Sequence, residues 1–205
     1  MIDNFLNINR IFFNQKEQLQ DDYFYHLQII QRKKDIEELG CNNILLKAII
    51  IDDAHPLEKF KDGIIDMCEH YRARAYINVG PKSKRKVAIQ MLQDLAQCFA
   101  KNDFNYTKKL WNTAAGTVNP FLKRWVIDCD ITDKFTIEDA QNVIDIVYES
   151  NSEEKYKIIG TIPTLHGYHI ITTPFDSRRL KEEYPLIDIH KNNPTVLYVP
   201  DSLMK

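Results

Sequence analysis

Between Lys123 and Pro200 the chain switches repeatedly between a hydrophobic period of two and one of about 3.6. The order of those switches constrains the fold more than any other feature of the sequence. Lys123–Ile131 alternates as a strand, with Trp125, Ile127, Cys129 and Ile131 on one face and Val126, Asp128 and Asp130 on the other. "TIEDAQNVIDIVYES" then places Ile137, Ala140, Val143, Ile144 and Val147 at helical spacing behind a capping-box-like pair, Thr136 and Asp139. "KYKIIGTI" and "YHIITTPF", joined by "PTLHG", read as a hairpin. "DSRRLKEEY" reads as a short helix and "PLIDIH" as a strand, and "KNNP" turns the chain into a last strand, "TVLYVP".

Strand, helix, strand, strand, helix, strand is the split βαβ plan of ferredoxin-like, or RRM-like, domains, here with one strand added. The first half is less regular and reads as an α/β unit. A charged segment from about Gln15 to Glu38 is expected to be helical, and "NNILLKAIII" to be a buried strand. A helix over Pro56–Tyr71 follows from the spacing of Leu57, Phe60, Ile64, Cys68 and Tyr71. "RARAYINVG" alternates strictly. Ser83 is placed to cap a helix carrying Val87, Met91, Leu95 and Cys98, and a shorter helix spans about Thr107–Ala115. "GTVNP" is the best boundary. The expectation is an α+β chain: an N-terminal α/β unit over 1–116 and a ferredoxin-like βαββαβ half over 117–205, packed as one two-lobed domain.

A chain of 205 residues, 44% hydrophobic and 27% charged, can bury a substantial core. Its net charge of −2 advertises no overall basic field, so any nucleic-acid contact has to come from a local patch. The four cysteines form no C-x-x-C pair, which fits free thiols in a reducing compartment. "MIDNFLNINRIFFNQKEQ" lacks the form of a signal peptide and no run is long enough for a membrane span. A soluble, cytoplasmic protein without a membrane partner is expected.

Asp128 and Asp130 raise a physical question, because two carboxylates on one strand face stand only about 6.5 Å apart at Cα. Like charges that close call for a compensating cation or for water. Asp188 in "PLIDIH" points to the same side of its strand as Leu186 and His190, and His169 lies opposite Tyr168 and Ile170 on its own. In the expected strand order Asp128, Asp130 and His169 gather on the open face of the sheet, with Asp188 on a further strand. Hard oxygen ligands of this kind suit Mg²⁺ or Mn²⁺, and the histidine suits a phosphate. Two such ions would clamp a phosphoryl transfer. A metal nuclease or phosphohydrolase would use the same carboxylates, and a binding module would merely expose them.

Basic residues supply candidate phosphate contacts. Lys84, Arg85 and Lys86 crowd the first turn of a helix, where cations are unfavourable unless an anion binds there. Arg72 and Arg74 precede them on a strand, and Lys191 follows Asp188. Tyr76, Tyr168 and Trp125 are candidate base-stacking residues, Trp125 on the apolar face. Sequences for a nucleophile elbow, a P-loop or a G-x-G-x-x-G turn are absent.

Three segments, "VIDCDITD", "PTLHGYHIIT" and "PLIDIHKNNPTVLYVP", together resemble the archaeo-eukaryotic primase superfamily, the catalytic domain of primases and primase–polymerases. The resemblance covers roughly Lys123 to Pro200. It implies that Asp128, Asp130 and Asp188 hold Mg²⁺ or Mn²⁺ and that His169 contacts the phosphates of an incoming nucleotide. The implied partners are a nucleoside triphosphate and nucleic acid, with a nucleotidyl group transferred to a 3′-hydroxyl.

Overall fold

The computed structural model describes residues 1–13, 22–150 and 157–204. In chain order the first half contains β1 (Ile2–Asp3), α1 (Phe5–Ile8), β2 (Tyr23–Arg32), β3 (Asn43–Ile51), α2 (Lys61–Tyr71), β4 (Arg74–Asn78), β5 (Lys82–Ser83), α3 (Lys84–Lys101) and α4 (Leu110–Thr117). The second half contains β6 (Trp125–Asp130), α5 (Ile137–Glu149), β7 (Ile158–Pro163), β8 (Gly167–Thr172), α6 (Arg178–Glu183), β9 (Asp188–Lys191) and β10 (Pro194–Val199). Helices and antiparallel strands make an α+β fold with two sheets. One runs β1-β10-β4-β2-β3 with β5 paired to β2, and the other runs β7-β8-β6-β9.

The sheets lie within one core. Tyr25, Leu27, Ile29, Ile49, Ala75 and Ile77 of the first sheet pack in the same buried cluster as Val126, Ile162 and Ile171 of the second. Ile11 closes on Gly160, where an added Cβ would stand 2.6 Å from its Cδ1. The buried Arg124 donates from one guanidinium nitrogen to Val79 O at 3.0 Å and Tyr25 Oη at 3.2 Å, clamping the start of β6 to the first sheet. Helices α5 and α6 cover the far side of the second sheet through Val143, Ile146, Val147 and Leu180. Helices α3 and α4 cover the far side of the first, over Phe24 and Ile50. Among the described residues, no helix is long and apolar enough to cross a membrane.

Two expectations need correction. The helix expected over Gln15–Glu38 is not formed where it can be judged: residues 15–21 lie outside the described residues, and Tyr23–Arg32 is a strand. Charges flank this segment, but inside it Tyr25, Leu27 and Ile29 alternate toward the core, and pairing with β3 and β4 on both sides overrides helical propensity. The last strand also leaves its expected lobe. β10 lies between β1 and β4 in the first sheet, so the 117–205 unit loses its C-terminal strand to the N-terminal one. A strand buried at five of six positions suits such a central place, walled on both faces. β3 is a strand as expected, but it is an edge strand whose Ile44 and Leu45 remain exposed.

Candidate functional site

Register brings the acids together. On β6, Asp128 is paired with His169 of β8 on one side and with Asp188 of β9 on the other. Directly opposed residues in antiparallel strands have Cα atoms about 4.5–5.5 Å apart, so Asp128 and Asp188 are immediate neighbours. Asp130 lies two residues along the same face, opposite Gly167. That glycine is required, since a Cβ there would stand 1.9 Å from Cys129 O. The close approach is fixed by Ile131 N donating to His166 O at 2.7 Å, and the turn is closed by Thr164 N donating to Gly167 O at 2.9 Å.

This face is not open along its length, as the strand plan alone suggests. Val126 and Ile171 at one end are buried against the first sheet, whereas Asp130 and Asp188 at the other are exposed. The acids therefore sit at the mouth where the two sheets part. Asp128 is intermediate, its side chain 31% exposed, and His169 Nε2 stands 3.4 Å from its Oδ1. The His169 hydrogen bond, helped by the charges of His190 and Lys34, holds the Asp128 carboxyl below the usual carboxylate range despite burial. The other His169 nitrogen, Nδ1, lies 2.8 Å from Oγ1 of the fully buried Thr195 on β10. His169 is thus gripped at both nitrogens, once by each sheet.

Beside the acids lies a cleft of about 200 Å³ lined by Lys34, Asp35, Arg72, Arg74, Leu165 and His166, with the C-terminal Ser202 and Leu203. Arg74 donates from Nε to Asp35 Oδ2 at 2.7 Å and from its terminal nitrogen to the other carboxylate oxygen, a two-pronged pair with both side chains largely buried. Arg72 caps α2 in the left-handed conformation, at φ 49°. The Lys34 ammonium is lowered by desolvation and by Arg32 and Arg74, and is favoured by Asp35 and Asp130. Lys34 therefore links the basic lining to the acidic mouth.

The other expected phosphate contacts do not reach this place. Lys84 pairs with Asp52 at 2.7 Å, and Arg85 donates its backbone N–H to Asp22 Oδ1 at 3.0 Å. These residues follow β5, which pairs with the first residues of β2, while Lys34 lies beyond the last. The ten residues of β2 separate the two ends by about 30 Å. The positive end of α3 is satisfied by Ser83 Oγ and the Asp22 carboxylate, so it needs no phosphate. Lys191 is paired with Trp125 and lies 4.7 Å over its ring, on the helix-covered face and away from the acids. Trp125 packs on Phe175, Tyr76 accepts from Arg32, and Tyr168 pairs with Cys129 on the opposite face from Asp128.

Reasoning from sequence missed Lys34, Asp35, His166 and Thr195. "RKKD" at 32–35 would have been visible as a hairpin end had β2 been read as a strand; nothing local marks Thr195. Asp128, Asp130 and Asp188 offer the hard oxygens that Mg²⁺ or Mn²⁺ takes. Among the described residues, no group of three or more His, Cys, Asp and Glu side chains is drawn together as a metal cage. An ion held by one or two carboxylates plus substrate phosphates needs no such cage. In comparisons with known proteins, no protein-family model, curated protein or solved structure matches the chain.

Proposed function

We propose that the protein is a metal-dependent nucleotidyltransferase of primase–polymerase type, joining a nucleotide from a nucleoside triphosphate to a nucleic-acid 3′-hydroxyl. The observation that carries this reading is the pairing of Asp128 with Asp188 across β6 and β9, with Asp130 on the same face and a basic cleft alongside. The sheet order β7-β8-β6-β9, with α5 and α6 on one face, supports the ferredoxin-like plan for this half.

Asp128 and Asp188 would hold Mg²⁺ or Mn²⁺ together with the substrate phosphates, with Asp130 adding its charge from farther along the same face, and the ion would neutralise charge developing on the phosphoryl oxygens. Lys34 and Arg72 would bind the outer phosphates at the cleft. Arg74, committed to Asp35, stiffens the wall from which they reach. His169 is held by Thr195, with Nε2 directed at Asp128. Once the Asp128 carboxylate is otherwise engaged, that nitrogen is free to donate to a phosphate.

The test is extension of a labelled primer–template by the purified protein with Mn²⁺ and a mixture of ribo- and deoxynucleoside triphosphates. The Asp128→Asn/Asp188→Asn double variant is expected to lose incorporation by more than about a hundredfold, beyond what losing even an outer partner of a metal site brings. Its melting temperature should stay close to that of the wild type or fall slightly, because only the part-exposed contact of Asp128 with His169 is weakened. A double variant that still extends the primer ends the proposal. Shortened instead of lengthened product assigns the acids to a nuclease, and no Mn²⁺ binding at millimolar concentration by calorimetry leaves a binding module.

A further inference from the structure

Helix α3 and, after a short 3-10 turn at Thr107–Lys109, helix α4 form a hairpin whose tip contributes nothing to the core. Its buried contacts to the sheet come from Val87, Ala114 and Ala115 against Phe24, all away from the tip. The tip carries Phe99, Phe104 and Tyr106, which are 65%, 44% and 60% exposed. Among the described residues seven aromatic side chains are exposed, and three of them fall within these eight positions, so the clustering is not the ordinary scatter of surface apolar groups. Phe99 and Phe104 meet edge to face at 5.2 Å, making one contiguous surface.

Lysines interleave with these rings. Lys101, Lys108 and Lys109 are all exposed, against one carboxylate, Asp103, in the same stretch. Asp103 is occupied in shaping the turn, accepting from Asn105 N at 3.1 Å and Asn105 Nδ2 at 3.0 Å. The tip is therefore locally basic in a chain of net charge −2. Exposed rings between cations match a strand whose bases are free to stack and whose phosphates run alongside. A duplex does not match, because its bases are already stacked on one another.

We infer that the tip of the α3–α4 hairpin binds single-stranded nucleic acid, with bases on Phe99, Phe104 and Tyr106 and phosphates at Lys101, Lys108 and Lys109. This surface belongs to a different element from the acid pair and does not rest on the catalytic reading. Ile89 and Leu92, farther up α3 and also exposed, make a protein contact the competing use of this hairpin.

The experiment is fluorescence anisotropy of the full chain with labelled 15-mer oligo(dT) and oligo(U), and with a duplex of equal length, across a salt series. Single strands should bind better than duplex, with a slope of log affinity against log salt of about −2, the value for three phosphate contacts. Phe104→Ala and Tyr106→Ala should each weaken binding about tenfold, and Lys108→Glu/Lys109→Glu should flatten the salt slope. All these positions are at the surface, so folding is not at stake. An Arg178→Ala variant, at an exposed position on α6, should bind oligonucleotide like the wild type. Absence of single-strand binding, equal duplex binding, or binding unchanged in the tip variants overturns the inference. So does light scattering in which the tip variants change oligomeric state while oligonucleotide affinity stays constant, which assigns the surface to a protein contact.

Discussion

Helix α5 and helix α3 each lie across the outer face of a sheet, yet they are held there by different forces. Over 13 residues α5 buries Ala140, Val143, Ile146 and Val147, and its start is closed by a capping box. Over 18 residues α3 buries only Val87. What fastens the α3–α4 layer is a small apolar cluster around Phe24 joined by polar ties: Ser83 and Asp22 at the N-terminus, Lys84 on Asp52, and the buried Lys82 donating to Ala115 O near the end of α4. A helix pinned by its ends and not by a stripe leaves its long face free. In this chain that free face carries exposed Ile89 and Leu92 and runs out to Phe99 at the hairpin tip.

The contrast can be broken first by truncation. Ile146→Ala is expected to cost about 2–5 kcal/mol in denaturant unfolding, whereas Leu92→Ala should stay within about 0.5 kcal/mol of wild type. Equal costs would mean that α3 buries its stripe in a way the fold does not suggest. The polar layer has a pH signature as well. His26 lies under Trp111 with its rings at 5.0 Å, and burial, with Lys82 nearby, pushes its pKa down to about 4. Between about pH 6.5 and 4 the unfolded chain takes up a proton at this position that the folded chain refuses. Stability is therefore full above pH 6.5 and lost on acidification, by about 3 kcal/mol. His26→Leu should flatten that part of the profile; an unchanged slope would remove His26 from the account. The smallest difference is at the caps. Thr136→Ala should cost about 1 kcal/mol, and Ser83→Ala, at a buried cap that also binds Asp22, about 2 kcal/mol. The reverse order would mean that α3 depends less on its ends than proposed.

Much of the second half was legible from sequence because each element carried its own period. The Thr136–Asp139 capping box and the two-residue spacing of Asp128 and Asp130 are local signals found where their patterns put them. The α5 stripe holds at Ala140, Val143 and Val147, whereas Ile137 at the first turn is exposed and Ile146 takes a buried place instead. The neighbourhood of Asp188 was legible too, since its strand alternates and its register follows from the sheet order. What escaped is non-local. Thr195 meets His169 only because β10 crosses to the other sheet, and an unbroken run such as "TVLYV" announces burial without saying beside which strand. Lys34 and Asp35 were hidden by charges that made β2 look like a helix, and Lys84 and Arg85 looked like an anion site because the aspartates answering them are distant in sequence.

The placement of β10 also bears on how the chain acquires its shape during synthesis. Ile2 and Asp3 have no strand to lean on, and β4 lacks a neighbour on one side, until the residues after Asn193 have left the ribosome. The N-terminal lobe is thus the first to be made and the last to be finished. A fragment ending near Gly116 would expose a gap in its sheet where a strand belongs, inviting any extended segment that passes.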